Sequence, residues 1–284
     1  MLKCFMDEKR IYIHITIECI YIRIITNKST NMCDKNAIFR RKGVKMSNNI
    51  KGVSADGSIP KEKTTPDMSR IKIDESFNTH IFLVRHGQSI GNEKREFLGH
   101  TDKDLSSLGY EQAARTAEFL AYEDIDVVYS SDLIRAYNTA IPHADMRNIK
   151  VIPEKALREI FAGKWEGMRV EDIISEYPSD FIDGWRANFG TFTIPGGENV
   201  QDLAERIYGA IFDIAKQNEG KNVLIGCHAA AIRAFWGKLT GIAPQDLASA
   251  LPFPSNASVS TVYFHGESLV AGEYSHADHL TDLI

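Results

Sequence analysis

The apolar run His80–Val84 stops at Arg85-His86-Gly87, with small polar residues behind it as far as Asn92. Two later runs end in a similar way. Asp126–Ser130 gives way to Ser131–Arg135, and Asn222–Cys227 to His228 and a string of alanines. Short apolar segments of strand length alternate here with segments of helical period, a pattern that suits a sheet covered by helices on both faces. The expected fold is α/β, a three-layer α/β/α sandwich with a mostly parallel central sheet. In such sheets ligands sit beyond the carboxyl ends of the strands. That rule would bring Arg85, His86, Arg135 and His228 to one place.

The connecting segments can be read in the same way. Asn92–Asp104 reads as a loop. A helix follows it, with Ser106 or Ser107 as N-cap and Leu108, Ala113, Ala117 and Leu120 on one face. Ser131-Asp132 is placed to cap the helix that carries Arg135. Lys150–Pro153 is a further strand, and Val170–Tyr177 a short helix. Pro195-Gly-Gly-Glu198 opens a long helix reaching about Gln217, and the residues after His228 form another through Leu239. Ala257–Tyr274, broken at Gly266, predicts a hairpin.

Charge is unevenly spread. Residues 1–75 carry 15 Lys and Arg against 9 Asp and Glu, whereas the remainder carries 18 against 29. An acidic body argues against nucleic acid as the partner, because binding a phosphate backbone needs a basic face. The cysteines (Cys4, Cys19, Cys33 and Cys227) show neither a disulfide framework nor metal-ligand spacing, which points to a reducing, cytoplasmic setting. Residues 11–25 are apolar but contain Glu18 and Arg23 and are too short to span a bilayer. Their isoleucines alternate with polar residues from Ile11 to Ile17, which is strand periodicity. Residues 28–66 turn to Lys, Asn, Ser, Gly and Asp, so 1–75 is expected to be a weakly structured or disordered extension and 76–284 the folded domain.

The chemistry follows from the side chains. A neutral imidazole is a competent nucleophile toward phosphorus, and nearby arginine charges disfavour its protonation. His86 is the candidate nucleophile. Arg85 and Arg135 are the candidate clamps for phosphoryl oxygens. His228, if positively charged, would add a third donor at a helix N-terminus. An ester oxygen needs a proton to leave, and Glu159, Glu166 and Glu154 are the available carboxyls.

Taken together these segments resemble the histidine phosphatase superfamily, which also contains the cofactor-dependent phosphoglycerate mutases. The likeness rests on Leu83-Val-Arg-His-Gly-Gln-Ser-Ile-Gly-Asn92, Leu105–Ala113, Ser130–Ala136 with Thr139-Ala140, Leu157-Arg-Glu159 with Gly163–Gly167, Pro195–Glu198, and Cys227-His228. It covers about residues 78–280 and implies a phosphoglycerate mutase-like fold. It also implies His86 as phosphorylated nucleophile, Glu159 as proton donor, and Arg85, Arg135 and His228 as the phosphate pocket. Ser89 and Asn92 would lie at the substrate side of the loop. No metal or other cofactor is implied. The chain departs from the family pattern at Cys227, Ala229 and Ala230, where a hydroxyl residue and glycines are usual.

Mutases of this family follow the acid with Arg-His-Tyr-Gly and carry an arginine-bearing insertion. Here Glu159 is followed by Ile160-Phe161-Ala162-Gly163, and residues 178–195 hold Arg186 as their only cation. The expected function is therefore that of a phosphomonoesterase, acting on a small phosphorylated metabolite through a phosphohistidine. The alternatives are a phosphoglycerate mutase and a non-catalytic phosphate-binding module. The expected partner is a small-molecule phosphomonoester, with neither nucleic acid nor membrane; a homo-oligomer is allowed.

Overall fold

The computed structural model describes residues 71–283 and, nearer the start, the strands β1 (Leu2–Asp7) and β2 (Arg10–Ile15). The chain divides between residues 61 and 62 into two units. In the first, β1 and β2 pair antiparallel, with Leu2 opposite Ile15 and Asp7 opposite Arg10. Residues 11–15 thus form a strand, as their period of two predicts. The disorder expected for residues 28–66 falls outside the described residues, whereas Ile71, placed in the extension by the sequence reading, is buried in the second unit.

The second unit is built on a sheet of six strands. They are β3 (Thr79–Arg85), β4 (Ile125–Ser130), β5 (Val151–Pro153), β6 (Asn222–Cys227), β7 (Val259–His265) and β8 (Ser268–Ala271). Their order is β5-β4-β6-β3-β7-β8. The first four in that order are parallel, while β7 and β8 continue the sheet antiparallel as the predicted hairpin. Eight helices join them among the described residues: α1 (Ile90–Glu93), α2 (Ser107–Phe119), α3 (Ile134–Asp145), α4 (Val170–Glu176), α5 (Ser179–Ala187), α6 (Val200–Gln217), α7 (Ala229–Thr240) and α8 (Leu247–Ala250). None is long and apolar enough to cross a membrane. Helix α5 has no counterpart in the sequence reading. It contains Gly184 and buries only Ile182, so its helical period is faint.

Successive residues of the central strands enter opposite cores. Ile81 and Leu83 of β3 join Val223 and Ile225 of β6 in one cluster with Leu203, Ile207 and Ile211 of α6 and Phe235 of α7. Phe82 and Val84 join Leu224, Val128 and Phe119 in the other, which Ile71 also enters. Strands buried on both faces have no polar side to show, which is why these runs are continuously apolar in sequence.

Trp165 organises the segment between β5 and α6. It is fully buried, with ring centroids of Trp185 at 5.0 Å, Phe97 at 5.5 Å, Tyr177 at 5.8 Å and Phe192 at 5.9 Å. Edge-on and offset contacts of this kind add to the area buried. They fasten α4 and α5 to the rest of the domain.

Two helix starts test the predicted caps. Ser106 caps α2, its hydroxyl accepting from the Gly109 N–H at 3.1 Å. The predicted Ser131-Asp132 cap of α3 does not form as expected. The Ile134 N–H donates instead to Asp102 Oδ1 at 2.8 Å, and Ser131 Oγ accepts only from Leu133, at 3.3 Å. Asp132 is drawn away by Arg158, which reaches both its oxygens at 2.6 Å. A bidentate guanidinium–carboxylate pair outbids a single backbone N–H for the same side chain.

On the α2–α3 face lie two histidines that burial keeps neutral. Neither ring nitrogen of His143 has a partner, and burial, helped by Arg147 and His279, brings its pKa down to about 3. Burial does the same to His279, also to about 3, while its ring stacks on Phe119 at 4.3 Å. Each ring is neutral when folded but takes up a proton below about pH 6.5 when unfolded, so stability present above that pH is lost as pH falls toward 3. Between pH 8 and pH 5 the wild-type chain should therefore lose about 2 kcal/mol more unfolding free energy than His143→Leu. Urea unfolding at the two pH values checks this, and equal losses would contradict it.

Candidate active site

Parallel pairing sets Arg85 of β3 beside Cys227 of β6, and Gly226 of β6 beside Ser130 of β4. The residues that follow each strand are neighbours as a result. The His86 N–H donates to Cys227 O at 3.0 Å, and the Ser131 N–H to Gly226 O at 2.9 Å. The rings of His86 and His228 meet edge-on with centroids 5.2 Å apart.

The loop after His86 is pressed against the start of α2. A Cβ on Gly87 would lie 2.4 Å from Gly109 O, and one on Gly109 would lie 2.0 Å from Gln88 O. Both positions therefore require glycine. The Gly87 N–H donates to Thr139 Oγ1 at 3.0 Å and the Gln88 N–H to Gln112 Oε1 at 2.8 Å.

His86 is buried. Its Nδ1 lies 2.7 Å from Gly87 O. A carbonyl only accepts, so Nδ1 carries the proton and the lone pair is on Nε2. Burial, then Arg135, then Arg85 hold the ring's pKa well below 6.5. The arginines act as expected from sequence, but burial is the larger cause.

Arg85 donates through Nη1 to Pro254 O at 2.5 Å, and burial lowers its pKa to about 10. Arg135 is 1% exposed and sends Nη1 to Thr101 O at 3.0 Å and Nη2 to Gly99 O at 2.7 Å. Its fork thus grips a loop, and only Nε is left without a partner. Arg85 Nε and His228 Nδ1 are likewise buried without partners. His228 departs from expectation in charge. Burial, Arg135 and His86 lower its pKa well below 6.5, so the ring is neutral. Its Nε2 lies 2.8 Å from Ser131 Oγ. With the proton on Nδ1, the hydroxyl donates to Nε2.

The three carboxyls separate by their surroundings. Glu166 accepts from His100 N, Thr101 N, Thr101 Oγ1 and Ala162 N, at 2.6 to 2.9 Å. Glu154 caps a 3-10 turn over Lys155–Leu157. Glu159 lines the cavity beside His86. Its carboxylate accepts from Ile160 N at 2.9 Å, Ala231 N at 3.0 Å and Ala230 N at 3.1 Å. The first turn of α7 therefore points its amides at Glu159.

Ser89 and Asn92 form a capping box that starts α1, each side chain bonded to the other's backbone N–H. Their spacing of three is the capping-box spacing. Asn92 still lines the cavity, whereas the buried Ser89 does not. Cys227 is buried, its thiol pushed up to about 12 by burial, and acts as a packing residue.

The cavity holds about 400 Å³ and is floored by Arg85, His86, Arg135 and Glu159. Phe97, Trp185, Phe189 and Phe253 give it an aromatic wall, and Arg186 and Arg233 also line it. The sequence reading missed Arg233 and the aromatic wall. Ala229, Ala230 and Arg233 line the cavity together at spacing i, i+1, i+4, the one local signal that pointed to Arg233. The Arg233 guanidinium lies against both Phe189 and Phe253, 4.7 and 4.2 Å from their centroids, where the two rings meet edge-on.

Known proteins are similar to this chain in sequence and fold. The model of the histidine phosphatase superfamily (branch 1) matches residues 81–275. Phosphoserine phosphatase 1 of Hydrogenobacter thermophilus is 35% identical over 184 residues, covering 64% of this chain and 85% of the relative. The metal-independent phosphoserine phosphatase of Arabidopsis thaliana is 32% identical over 212 residues, 74% of this chain and 86% of the relative. A 2,3-bisphosphoglycerate-dependent phosphoglycerate mutase of Gloeobacter violaceus is 30% identical over 172 residues, 59% of this chain and 78% of the relative. The solved structure of phosphoserine phosphatase from Entamoeba histolytica, in complex with 3-phosphoglyceric acid, superposes with a TM-score of 0.62 at 25% identity, covering 71% of this chain and 99% of that one. With residues 81–275 matched by its model, the chain belongs to the histidine phosphatase superfamily, branch 1.

Proposed function

We propose that His86 Nε2 attacks the phosphorus of a small phosphomonoester, within a chain that is a phosphoric monoester hydrolase of the histidine phosphatase type. The N–P bond forms as the P–O bond to the leaving group breaks, and Glu159 passes a proton to the departing oxygen. Water then opens the phosphohistidine and releases phosphate. Arg85, Arg135 and His228 stabilise the phosphoryl oxygens, and Asn92 borders the substrate. Ser89 serves by capping α1.

One observation carries this reading: a buried, neutral imidazole with its lone pair on Nε2, grouped with three unpartnered donors at Arg85 Nε, Arg135 Nε and His228 Nδ1. Buried donors without partners are costly, and an anion with several acceptor oxygens offsets that cost. His228 serves as a neutral donor through Nδ1.

The substrate's remainder faces Phe97, Trp185, Phe189 and Phe253, a wall that suits an uncharged or apolar group. Relatives named for phosphoserine make that ester the first to test beside aryl and alkyl monoesters. Arg186 and Arg233 at the cavity, together with the mutase relatives, favour a second reading as a phosphoglycerate mutase. Arg233, however, gives its Nη2 to Leu247 O and Ala248 O, at 3.1 and 3.0 Å, and lies against two phenyl rings, while Arg186 lies 3.8 Å from Asp183, so each of these cations already has a partner. Hydrolysis is the better fit. Assaying 3-phosphoglycerate with and without bisphosphoglycerate separates the two, since a mutase needs the bisphosphate for turnover and a phosphatase does not. We assign the catalytic domain to residues 76–284 and the setting to a reducing cytoplasm, where the unpaired Cys227 would stay a thiol.

Rapid quenching with labelled substrate should trap an acid-labile phosphoenzyme in the wild type and none in His86→Ala, whose turnover should fall by about a thousandfold or more. Labelling of His86→Ala at the wild-type level would place the nucleophile elsewhere. Glu159→Gln should cut kcat/KM on an alkyl phosphate by about 10²-fold or more while hardly touching 4-nitrophenyl phosphate, whose leaving group needs no proton. Equal losses on both would mean another residue is the acid.

A further inference from the structure

Behind Glu159 stands an arginine that the catalytic steps do not use. Arg206 lies on α6, 47 residues further along the chain. Its Nη1 donates to Ala156 O and Arg158 O, both at 2.9 Å, and its Nη2 to Glu159 O at 3.2 Å. The remaining edge of the fork is taken by Glu198, with Nε to Oε1 at 2.9 Å and Nη2 to Oε2 at 2.7 Å. Glu198 belongs to the Pro195-Gly-Gly-Glu198 segment, and its Oε2 also accepts from the Phe161 N–H at 3.2 Å. One guanidinium thus gathers the carbonyls that leave the 3-10 turn just ahead of Glu159, and its carboxylate partner holds the chain two residues beyond. His100 adds Nε2 to Glu159 O at 2.9 Å.

We propose that Arg206, oriented by Glu198, is a positioning residue for the proton donor, fixing the main chain from which the Glu159 side chain reaches the cavity. The inference rests on the reading of Glu159 as the acid. The Glu159 carboxylate is held from one side by the amides of α7, but those contacts serve it only if its own backbone is at the right distance. Ala156 lies in, and Arg158 and Glu159 just after, a 3-10 turn too short to satisfy these carbonyls internally, so the fork supplies what the turn lacks. Lysine retains the charge but is a point donor and cannot span three carbonyls and a carboxylate at once.

The test uses the full-length chain and two substrates, an alkyl monoester and 4-nitrophenyl phosphate, compared through kcat/KM. Arg206→Lys should lose at least about tenfold more on the alkyl ester than on the aryl ester, as a displaced acid would. Glu198→Gln should shift the ratio in the same direction by less. The double variant Arg206→Lys/Glu159→Gln should show no more selectivity than Glu159→Gln alone, because both act through one proton. Equal losses on both esters, or additive selectivity in the double variant, would overturn the proposal and leave Arg206 a purely structural residue. If Arg206→Lys does not fold, Glu198→Gln decides the matter, since it leaves the guanidinium and its carbonyl contacts in place. Absence of selectivity in Glu159→Gln itself would instead overturn the assignment of the acid, and with it this inference. Selectivity in Glu159→Gln but not in the Arg206 and Glu198 variants would overturn the positioning role alone.

Discussion

An imidazole taken out of water beside two guanidiniums has no affordable way to carry a charge. That constraint holds His86 neutral, and the Gly87 carbonyl then assigns its one proton to Nδ1. The other nitrogen is left with its lone pair in a cavity lined by Arg85, Arg135 and Glu159. The same desolvation governs the neighbours: it keeps His228 neutral, raises the Cys227 thiol to about 12 and lowers Arg85 to about 10. Burial, rather than any single ion pair, sets the charge states in this cluster.

Much of the protein's structure exists to hold that cluster against its own cost. Parallel pairing of β3, β6 and β4 delivers the ends of three strands side by side. The glycine contact between Gly87 and Gly109 presses the loop after His86 onto α2. Arg135 and Glu166 grip the 99–101 loop from two directions, one through its carbonyls and the other through its amides. The Trp165 ring cluster fastens the segment that carries Trp185 to the mouth of the cavity. These are contacts between distant parts of the chain, and each spends a charged or aromatic side chain on geometry.

Where sequence reasoning failed, the failures share a cause. Asp132 was read as a local cap and proved to be the partner of Arg158, while the amide it should have capped is served by Asp102. Ser89 was read as facing substrate and caps α1 instead. Arg135 was read as offering its fork to a phosphate, whereas both its Nη atoms are held by Gly99 and Thr101 and only Nε is left. A polar side chain has several acceptable partners, and its choice depends on which of them folding brings within about 3 Å.

The order of the sheet's strands along the chain and of the longer helices, the apolar runs buried on both faces, and the placing of His86, Arg135 and His228 after neighbouring strands were determined by the sequence on its own. Periodicity and the parallel-sheet rule need only local information. The protonation of His228, the aromatic wall and the place of Arg206 behind Glu159 were decided by tertiary structure alone. Each depends on burial or on a partner tens of residues away, and both quantities come into being only when the layers close.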